Sequence, residues 1–300
     1  MYKRDRTGRT RVVMAVLLVA WLLSLHAVAV RAETIPRHGL LWEVSRPGIS
    51  ASHLFGTIHS EDPDVLQLDG TVQAVFDAAH SVVLEVLLDA DAMLYSSGAM
   101  LLMDGRMLAD IIGADLFSRA ARATGSRGIP ELVLQRMKPW AVAVTLSMPM
   151  PETGLVLDLA LYQAALQANK PVHALETIRE QLDVFDSLSE PDQTLLLREA
   201  LEHFPDIDAL HAELLQAYKR RDLGALMAIN AASLETGDRQ LADDFQRRLI
   251  GDRNRRMAER MQPYLAQGRA FVAVGALHLP GDDGLLQLLQ QRGYTVRVVF

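Results

Sequence analysis

The chain has 300 residues, of which 30 are basic and 37 acidic, for a formal net charge of −7. This acidic balance argues against nucleic acid and anionic membrane surfaces as partners, because both carry dense negative charge. The absence of cysteine excludes disulfides, thiolate catalysis and thiolate metal ligands, so any metal would be held by His, Asp or Glu. Without disulfides the protein must depend on a hydrophobic core, and its length is ample for one.

Residues 1–32 have the pattern of a targeting segment. A basic leader precedes an apolar run from Val12 to Leu23, which spans roughly 18 Å as a helix against a hydrocarbon core of about 30 Å. Small residues favour cleavage by a signal peptidase after Ala32, with Ala29 as a second candidate. We therefore predict a signal peptide and a periplasmic or secreted protein, whose only membrane contact is this segment. An uncleaved membrane anchor is the alternative.

Short segments that predict β-strands cluster towards the two ends of the chain. The first two flank an Arg46-Pro47-Gly48 turn and therefore predict a hairpin. The apolar spacing of residues 65–76 predicts a helix before the third strand. The strand segments are residues 40–44, 53–58, 81–86, 171–175, 271–275 and 294–300.

The middle of the chain, from about residue 89 to residue 267, is predicted to be mostly helical, and only the strand at 171–175 interrupts it. No low-complexity linker and no fixed-period repeat divides the sequence. We predict a single domain over residues 33–300, of the α/β (α+β) class. Its mixed sheet would be built from the N- and C-terminal strands and flanked by helices, with the helical middle as a cap-like part.

Two G-x-x-H motifs follow predicted strands, at Gly56-Thr57-Ile58-His59 and Gly275-Ala276-Leu277-His278. On residue counts alone they are weak evidence, because the chain has 19 Gly and 9 His. Their position is more informative, since ligands bind at the carboxyl ends of strands in sheets flanked by helices, and glycine allows close backbone approach. The alternative is a pair of strand-end histidines that are hydrogen-bonded to nearby carbonyl groups.

Glu85 lies inside an apolar run, where an unpaired carboxylate would be costly to bury and so requires a cation, a metal or hydrogen-bond donors. His59, His278 and Glu85 together would supply three ligands and an open position for water, suited to Mn, Co or Zn. An arginine partner is the alternative explanation for Glu85. Glu176 is a second candidate of the same kind, although the N-terminus of the following helix explains it more simply.

Residues 241–265 predict one long helix, and Arg253 falls on its apolar stripe. A guanidinium on a core-facing stripe requires a carboxylate or a bound anion, and it can reach toward the sheet. Alternatively, the side chain extends past the edge of the core into solvent. Asn254 could order a site beside it through hydrogen bonds. The stripe consists of Leu241, Phe245, Leu249, Met257 and Met261.

Nine short stretches match the pattern of a known family in order and spacing: residues 41–44, 54–60, 83–85, 137–140, 175–177, 253–257, 272–281, 284–286 and 293–296. On these stretches the chain resembles the TraB/GumN family, which is related to the Tiki metalloproteases and more distantly to the erythromycin-esterase and ChaN-like proteins. The resemblance covers most of the predicted mature chain. It is more specific than either G-x-x-H motif alone.

The family's pattern is two G-x-x-H motifs and a glutamate, which match His59, His278 and Glu85 here. The resemblance implies a metal-dependent hydrolytic centre on a mixed α/β core. It also implies supporting roles for Glu176, Arg253 and Asn254.

One segment departs from the family's pattern. Residues 154–158 stand where relatives often carry a tighter Gly-x-Asp or Gly-x-Glu, so we do not place Asp158 in the predicted site. Peptidase activity is inferred for some relatives, whereas many bacterial members have no known substrate. The resemblance therefore says more about fold than about reaction.

The predicted function is an exported metal-dependent hydrolase that acts on a peptide or another amide or ester bond. His59 and His278 would hold a divalent Mn, Co or Zn ion, and Glu85 would be either the third ligand or the general base for water. Arg253 would stabilise a developing oxyanion or orient Glu85. The alternative is a non-enzymatic periplasmic binding or accessory protein that uses the same fold for haem, a metal complex or a small ligand.

Overall fold

The computed structural model describes residues 37–234 and 239–300, and within them six strands form one sheet. The strands are β1 (Leu41–Arg46), β2 (Ile49–Thr57), β3 (Ser81–Leu84), β4 (Val172–Ala174), β5 (Ala270–Gly275) and β6 (Thr295–Val298). Their order is β4-β3-β5-β2-β1-β6. Neighbours from β4 to β2 are parallel, whereas β1 is antiparallel to both β2 and β6. The predicted mixed sheet is confirmed.

Helices flank the sheet and fill the middle of the chain, as predicted. A π-helical segment, Arg247–Asp252, joins two of them. The α-helices of the described residues are α1 (Pro63–Leu66), α2 (Gly70–Ala78), α3 (Ala90–Ala99), α4 (Leu108–Ile112), α5 (Ala114–Ser126), α6 (Glu131–Leu134), α7 (Pro139–Leu146), α8 (Leu157–Gln167), α9 (Ile178–Asp186), α10 (Glu190–His203), α11 (Ile207–Lys219), α12 (Leu223–Leu234), α13 (Arg239–Gln246), α14 (Arg253–Arg260), α15 (Gln262–Gln267) and α16 (Leu285–Gln291).

Strand β5 runs through the centre of the sheet, between β3 and β2. Residues 270–274 of this strand are buried, which is typical of a parallel strand covered by helices on both faces. The Phe271 ring contacts the rings of Phe55 and Phe76, with centroid distances of 5.7 and 5.3 Å. This packing fixes the register of the strand that leads into the second G-x-x-H motif.

The helical middle has a hydrophobic core of its own, formed between residues 100 and 204. Trp140 is buried there, stacks on Phe185 at a centroid distance of 5.6 Å, and donates from Nε1 to Asp186 at 2.8 Å. Helices α4, α5, α7 and α10 supply most of the other buried side chains. The cap-like part of the chain is thus packed around a separate set of residues from the sheet.

The single long helix predicted over residues 241–265 is wrong, because α13, the π-helical segment, α14 and α15 follow one another there. A stripe with a strict four-residue period drifts around an α-helix of about 3.6 residues per turn. The π-helical segment, with its i→i+5 hydrogen bonds, holds more residues per turn and offsets this drift. Arg253, Met257 and Met261 are accordingly all buried.

The helix predicted over residues 65–76 is divided into α1 and α2. Asp69 caps the second helix, since its side chain accepts a hydrogen bond from the Thr71 N–H at 2.8 Å. An N-cap residue has non-helical backbone, so it interrupts the helix even where the apolar spacing continues.

None of the helices in the two described ranges combines the length and hydropathy needed to cross a membrane. The predicted signal peptide, residues 1–32, lies outside the described residues. Export therefore stays a prediction from the sequence.

Candidate functional site

The carboxyl ends of the parallel strands meet at one edge of the sheet. Thr57 at the end of β2 lies opposite Gly275 at the end of β5, and Leu84 at the end of β3 lies opposite Ala273. Ligands bind at this edge in sheets flanked by helices. The chain leaving strands β2, β3, β4 and β5 carries, in that order, His59, Glu85, Glu176 and His278.

The glycine of the first G-x-x-H motif is required by a close approach, whereas the glycine of the second holds Glu85 through its backbone. A Cβ at Gly56 would lie 2.8 Å from Leu279 Cδ1 and 3.1 Å from Ala276 Cα, so the second motif packs directly on the first. A Cβ at Gly275 would lie 3.4 Å from Glu85 Oε1, which accepts the Gly275 N–H. Gly56 therefore lets the two motifs pack together, and the Gly275 N–H holds the glutamate beside them.

Glu85 is largely buried and accepts three hydrogen bonds. Its Oε1 accepts from the Gly275 N–H at 2.6 Å, and its Oε2 accepts from Arg253 Nη2 at 2.8 Å and from Gln181 Nε2 at 3.3 Å. Burial opposes ionisation, but the interaction with His278, the Arg253 charge and the Gly275 N–H together outweigh it and hold the pKa of Glu85 below its ordinary value. Glu85 is thus an anion at neutral pH.

Arg253 bridges two carboxylates that follow different strands. Its Nε donates to Glu176 Oε2 at 2.8 Å while its Nη2 donates to Glu85, and its side chain is only 9% exposed. Arg256 donates from Nη2 to the other Glu176 oxygen at 2.5 Å. Because both carboxylates engage its fork, the geometry favours an orienting role for Arg253 over contact with a developing oxyanion.

His278 is buried, and its ring orientation is set by Asn254. The Asn254 Nδ2 donates to the carbonyl oxygens of Asp283 at 2.8 Å and His278 at 3.3 Å, so its Oδ1 is the acceptor that lies 2.6 Å from His278 Nδ1. Burial lowers the pKa of His278. The neutral ring therefore carries its proton on Nδ1, and its unprotonated Nε2 lies 3.4 Å from Glu85 Oε1.

His59 lies at the same edge but has a different partner, Asp158. The two side chains approach to 3.1 Å between Nδ1 and Oδ2, and the His59 side chain is 62% exposed whereas that of Asp158 is 18% exposed. The hydrogen bond to Asp158 raises the pKa of His59 to about 9. Burial works against ionisation of Asp158, yet its bonds with His59 and Thr57 keep its pKa below the ordinary value. Asp158, which we did not place in the site, is therefore part of its surroundings.

The structure brings together five of the six predicted site residues through direct contacts: Glu85, Glu176, Arg253, Asn254 and His278. Among the described residues, no group of three or more His, Asp or Glu side chains is arranged to hold a metal ion. The predicted set of His59, His278 and Glu85 is therefore not assembled into one three-ligand group. His59 contacts Asp158 instead.

The pair of Glu85 and His278 nevertheless fits a divalent metal in its chemistry. An unprotonated imidazole nitrogen faces an ionised carboxylate oxygen at 3.4 Å, and ligands about 2.1 Å from a tetrahedral metal are about 3.4 Å apart. Metal-binding histidines almost always use their second nitrogen for an outer hydrogen bond, as His278 does with Asn254.

Gln181 was not identified from the sequence, and Asp158 was considered but left out of the site. Gln181 lies in α9 and reaches Glu85 across 96 positions of the chain. Asp158 lies in the first turn of α8, where acidic residues are common because the helix dipole stabilises their negative charge. That position gave no signal of a partner 99 residues away in the first motif.

The pattern of the TraB/PrgY/gumN family matches residues 40–298. The chain is 28% identical over 254 residues to the protein YbaP of Shigella flexneri, covering 83% of this chain and 91% of that protein. It is 27% identical over 318 residues to the metalloprotease TIKI2 of Danio rerio and 26% identical over 313 residues to that of Xenopus tropicalis.

These alignments with the two metalloproteases cover 86% of this chain but only 60% and 59% of the metalloproteases. No solved structure matches the chain. The family match spans the sheet, the helical middle and every residue of the candidate site. The chain therefore belongs to the TraB/PrgY/gumN family.

Proposed function

We propose that this protein is an exported metal-dependent hydrolase that cleaves peptide bonds or related amide or ester bonds. The observation that carries the proposal is the pair of His278 Nε2 and Glu85 Oε1, 3.4 Å apart. An unprotonated nitrogen and an anionic oxygen repel each other in a buried place unless a cation or a proton lies between them. The similarity to proteins named metalloproteases supports a metal as that cation.

Glu85 and His278 would hold the metal, and His59 would join them from the end of the neighbouring strand. A divalent Mn, Co or Zn ion at this position supplies Lewis-acid chemistry and lowers the pKa of water. His59 is exposed and follows β2 at the same edge of the sheet, so its side chain is not part of the packed core. It must release its extra proton to bind the metal.

The remaining residues keep the pair in place. Arg253 and the Gly275 N–H hold Glu85 ionised and fix both of its oxygens, while Asn254 holds the proton of His278 on Nδ1. A preorganised site of this kind needs little rearrangement during a reaction. Gln181 is the third donor to Glu85 and lies on the helical side of the site.

The proposal predicts stoichiometric metal uptake that depends on the two motif histidines. Purified protein, freed of metal with a chelator, is exposed to Mn, Co or Zn, and bound metal is measured by mass spectrometry. We expect about one ion per chain in the wild type and none in His59→Ala/His278→Ala. The control is His38→Ala/His211→Ala, which removes one exposed and one half-buried histidine whose partners are Asp222 and the Ser147 carbonyl and not the site residues. Unchanged uptake in the first double variant would overturn the metal site.

Activity separates the enzyme from the binding-protein alternative. The metal-loaded protein is screened against peptide and ester libraries, with and without chelator. Hydrolysis that chelator abolishes and metal restores supports the proposal. Stoichiometric metal binding without hydrolysis of any substrate favours a binding or accessory role for haem, a metal complex or a small ligand on the same fold.

We also propose that the protein reaches the periplasm or the exterior through residues 1–32. The support is the basic leader, the apolar run and the small residues that end at Ala32. Expression of the full chain followed by cell fractionation and N-terminal sequencing should yield an exported protein beginning at Glu33. A cytoplasmic product that keeps Met1 would contradict this.

A further inference from the structure

We propose that Asp158 is a positioning residue: it holds Nδ1 of His59 so that Nε2 is the nitrogen offered to a metal. The inference deepens the proposed function and rests on it. Asp158 adds a residue to the site that the G-x-x-H motifs and Glu85 do not include. It acts through His59 and makes no contact with the substrate or metal itself.

The two carboxylate oxygens of Asp158 contact two residues of the first G-x-x-H motif. Its Oδ1 accepts a hydrogen bond from Thr57 Oγ1 at 2.7 Å, which fixes the plane of the carboxylate. Its Oδ2 is buried and receives no hydrogen bond of ordinary geometry from the described residues; the contact that it makes is an ion pair with His59 Nδ1, at 3.1 Å. A buried anionic oxygen without another donor is costly, so its position against the imidazole is strongly favoured.

The first G-x-x-H motif supplies both residues that contact the Asp158 carboxylate. Thr57, 2% exposed, turns inward to hold Asp158, and His59, two residues later, turns the same way to meet it. Asp158 itself lies in the first turn of α8, where the helix dipole favours its ionised form. The motif and the helix therefore define the orientation of the His59 ring together.

The two motif histidines show the same arrangement with different partners. His278 Nδ1 lies 2.6 Å from an amide oxygen of Asn254, and His59 Nδ1 lies 3.1 Å from a carboxylate oxygen of Asp158. Each partner occupies Nδ1 and leaves Nε2 for a second contact, which is the pattern of metal-binding histidines with an outer hydrogen bond. The neutral amide stands beside the ring that already faces anionic Glu85. The carboxylate stands beside the exposed ring.

Metal affinity tests this role with Asp158→Ala, Asp158→Asn and the control Asp115→Ala. Asp115 is an exposed acidic residue in the first turn of α5, and thus matches Asp158 in helix position but not in contacts. Calorimetric titration of the metal-free full chain with Zn²⁺ should show binding about 10- to 100-fold weaker in Asp158→Ala. Asp158→Asn keeps an acceptor oxygen and should recover part of the loss, whereas Asp115→Ala should bind as the wild type does.

A second readout does not depend on metal. At a pH above the His59 pKa of about 9 the ring is neutral, and ¹⁵N NMR of the metal-free chain reports which nitrogen carries the proton. We expect the Nδ1-protonated form in the wild type and its loss in Asp158→Ala. Thr57→Val, which removes the bond that holds Asp158, should shift the same signal by a smaller amount and replaces Asp158→Ala if that variant does not fold.

The outcomes separate the two proposals. A wild type that binds no metal overturns the proposed function, and the NMR signal then decides the role of Asp158 alone. A wild type that binds Zn²⁺ while Asp158→Ala binds equally well, with the same protonated nitrogen, overturns the positioning role. Equal weakening of binding in Asp158→Ala and Asp115→Ala would also overturn it, because the effect would then come from the helix terminus.

Discussion

Arg253 is a nearly buried guanidinium whose charge is balanced by two carboxylates, Glu85 and Glu176. Three charges in such a place are stable only as a set, because each carboxylate loses its water shell and regains donors from the arginine. The Glu176 side chain is fully buried and is also held by Arg256. Loss of the Arg253 side chain would therefore affect Glu85 most, because Glu85 would retain only the hydrogen bonds from the Gly275 N–H and Gln181 Nε2.

Replacement of Arg253 should be far more costly than loss of a surface pair. We expect Arg253→Ala to lower the free energy of unfolding by about 3–5 kcal/mol, since it leaves buried carboxylates without their counter-charge. The control is Arg297→Ala, which breaks an ion pair with Glu43 whose arginine is 66% exposed and should cost at most about 1 kcal/mol. Urea denaturation at pH 7 measures both. Similar losses in the two variants would contradict the described network.

The pair of His59 and Asp158 gives the stability of the metal-free protein a pH dependence with a definite sign. Folding raises the pKa of His59 from 6.5 to about 9 through the hydrogen bond to Asp158. The folded state binds this proton more tightly, so the stabilisation is complete below about pH 6.5 and is lost as the pH rises through about 9. The Tm advantage of the wild type over Asp158→Ala, scanned in metal-free buffer from pH 6 to pH 10, should therefore shrink toward the alkaline end. A difference that grows with pH would contradict the assignment.

At the scale of elements, the site depends on two strand ends that pack against each other. Gly56 of β2 lies against the turn after β5, and this contact leaves no room for a side chain. The parallel pairing of β2 with β5 sets the two motifs side by side, while β3 supplies Glu85 from the other side of β5. The site is therefore a property of three strands in register rather than of any one segment.

Gly56→Ala should separate the two motifs. The added methyl group would meet Ala276 Cα at 3.1 Å, a backbone atom that cannot yield as a flexible side chain does. We expect a loss of about 1–3 kcal/mol in the free energy of unfolding, together with weaker metal binding. Gly98→Ala in α3 is the control, because nothing lies within 4 Å of its Cβ position and alanine favours the helix. Urea denaturation of both variants decides, and equal stability would contradict the close approach.

At the scale of the whole molecule, local patterns predicted the strands, the mixed sheet, both motifs and the anomaly of Glu85. The chain could not reveal contacts between distant segments that carry no local mark. Thr57 meets Asp158 across 101 positions, and Gln181 meets Glu85 across 96, and each residue is ordinary in its own segment. The π-helical segment was likewise missed, because apolar residues four apart are typical of an amphipathic α-helix over a few turns, and the drift of the stripe builds up only over a longer stretch.

The two hydrophobic cores should nevertheless unfold together. Phe185 of α9 stacks on Trp140 in the helical core and contacts Phe245 of α13 at a centroid distance of 5.4 Å, while Gln181 of the same helix bonds Glu85 at the sheet edge. A helix that serves both parts cannot stay folded when either is lost.

The tryptophans report this cooperativity. From residue 33 onward the chain has one tryptophan in each core, Trp42 and Trp140. Trp42→Phe leaves a fluorescence signal from the helical core, and Trp140→Phe leaves one from the sheet core. In each variant the fluorescence and far-UV circular dichroism transitions in urea should coincide. A Trp140 signal that changes at lower urea than the dichroism would mean that the helical middle opens alone, and Gln181 would then leave Glu85 before the sheet unfolds.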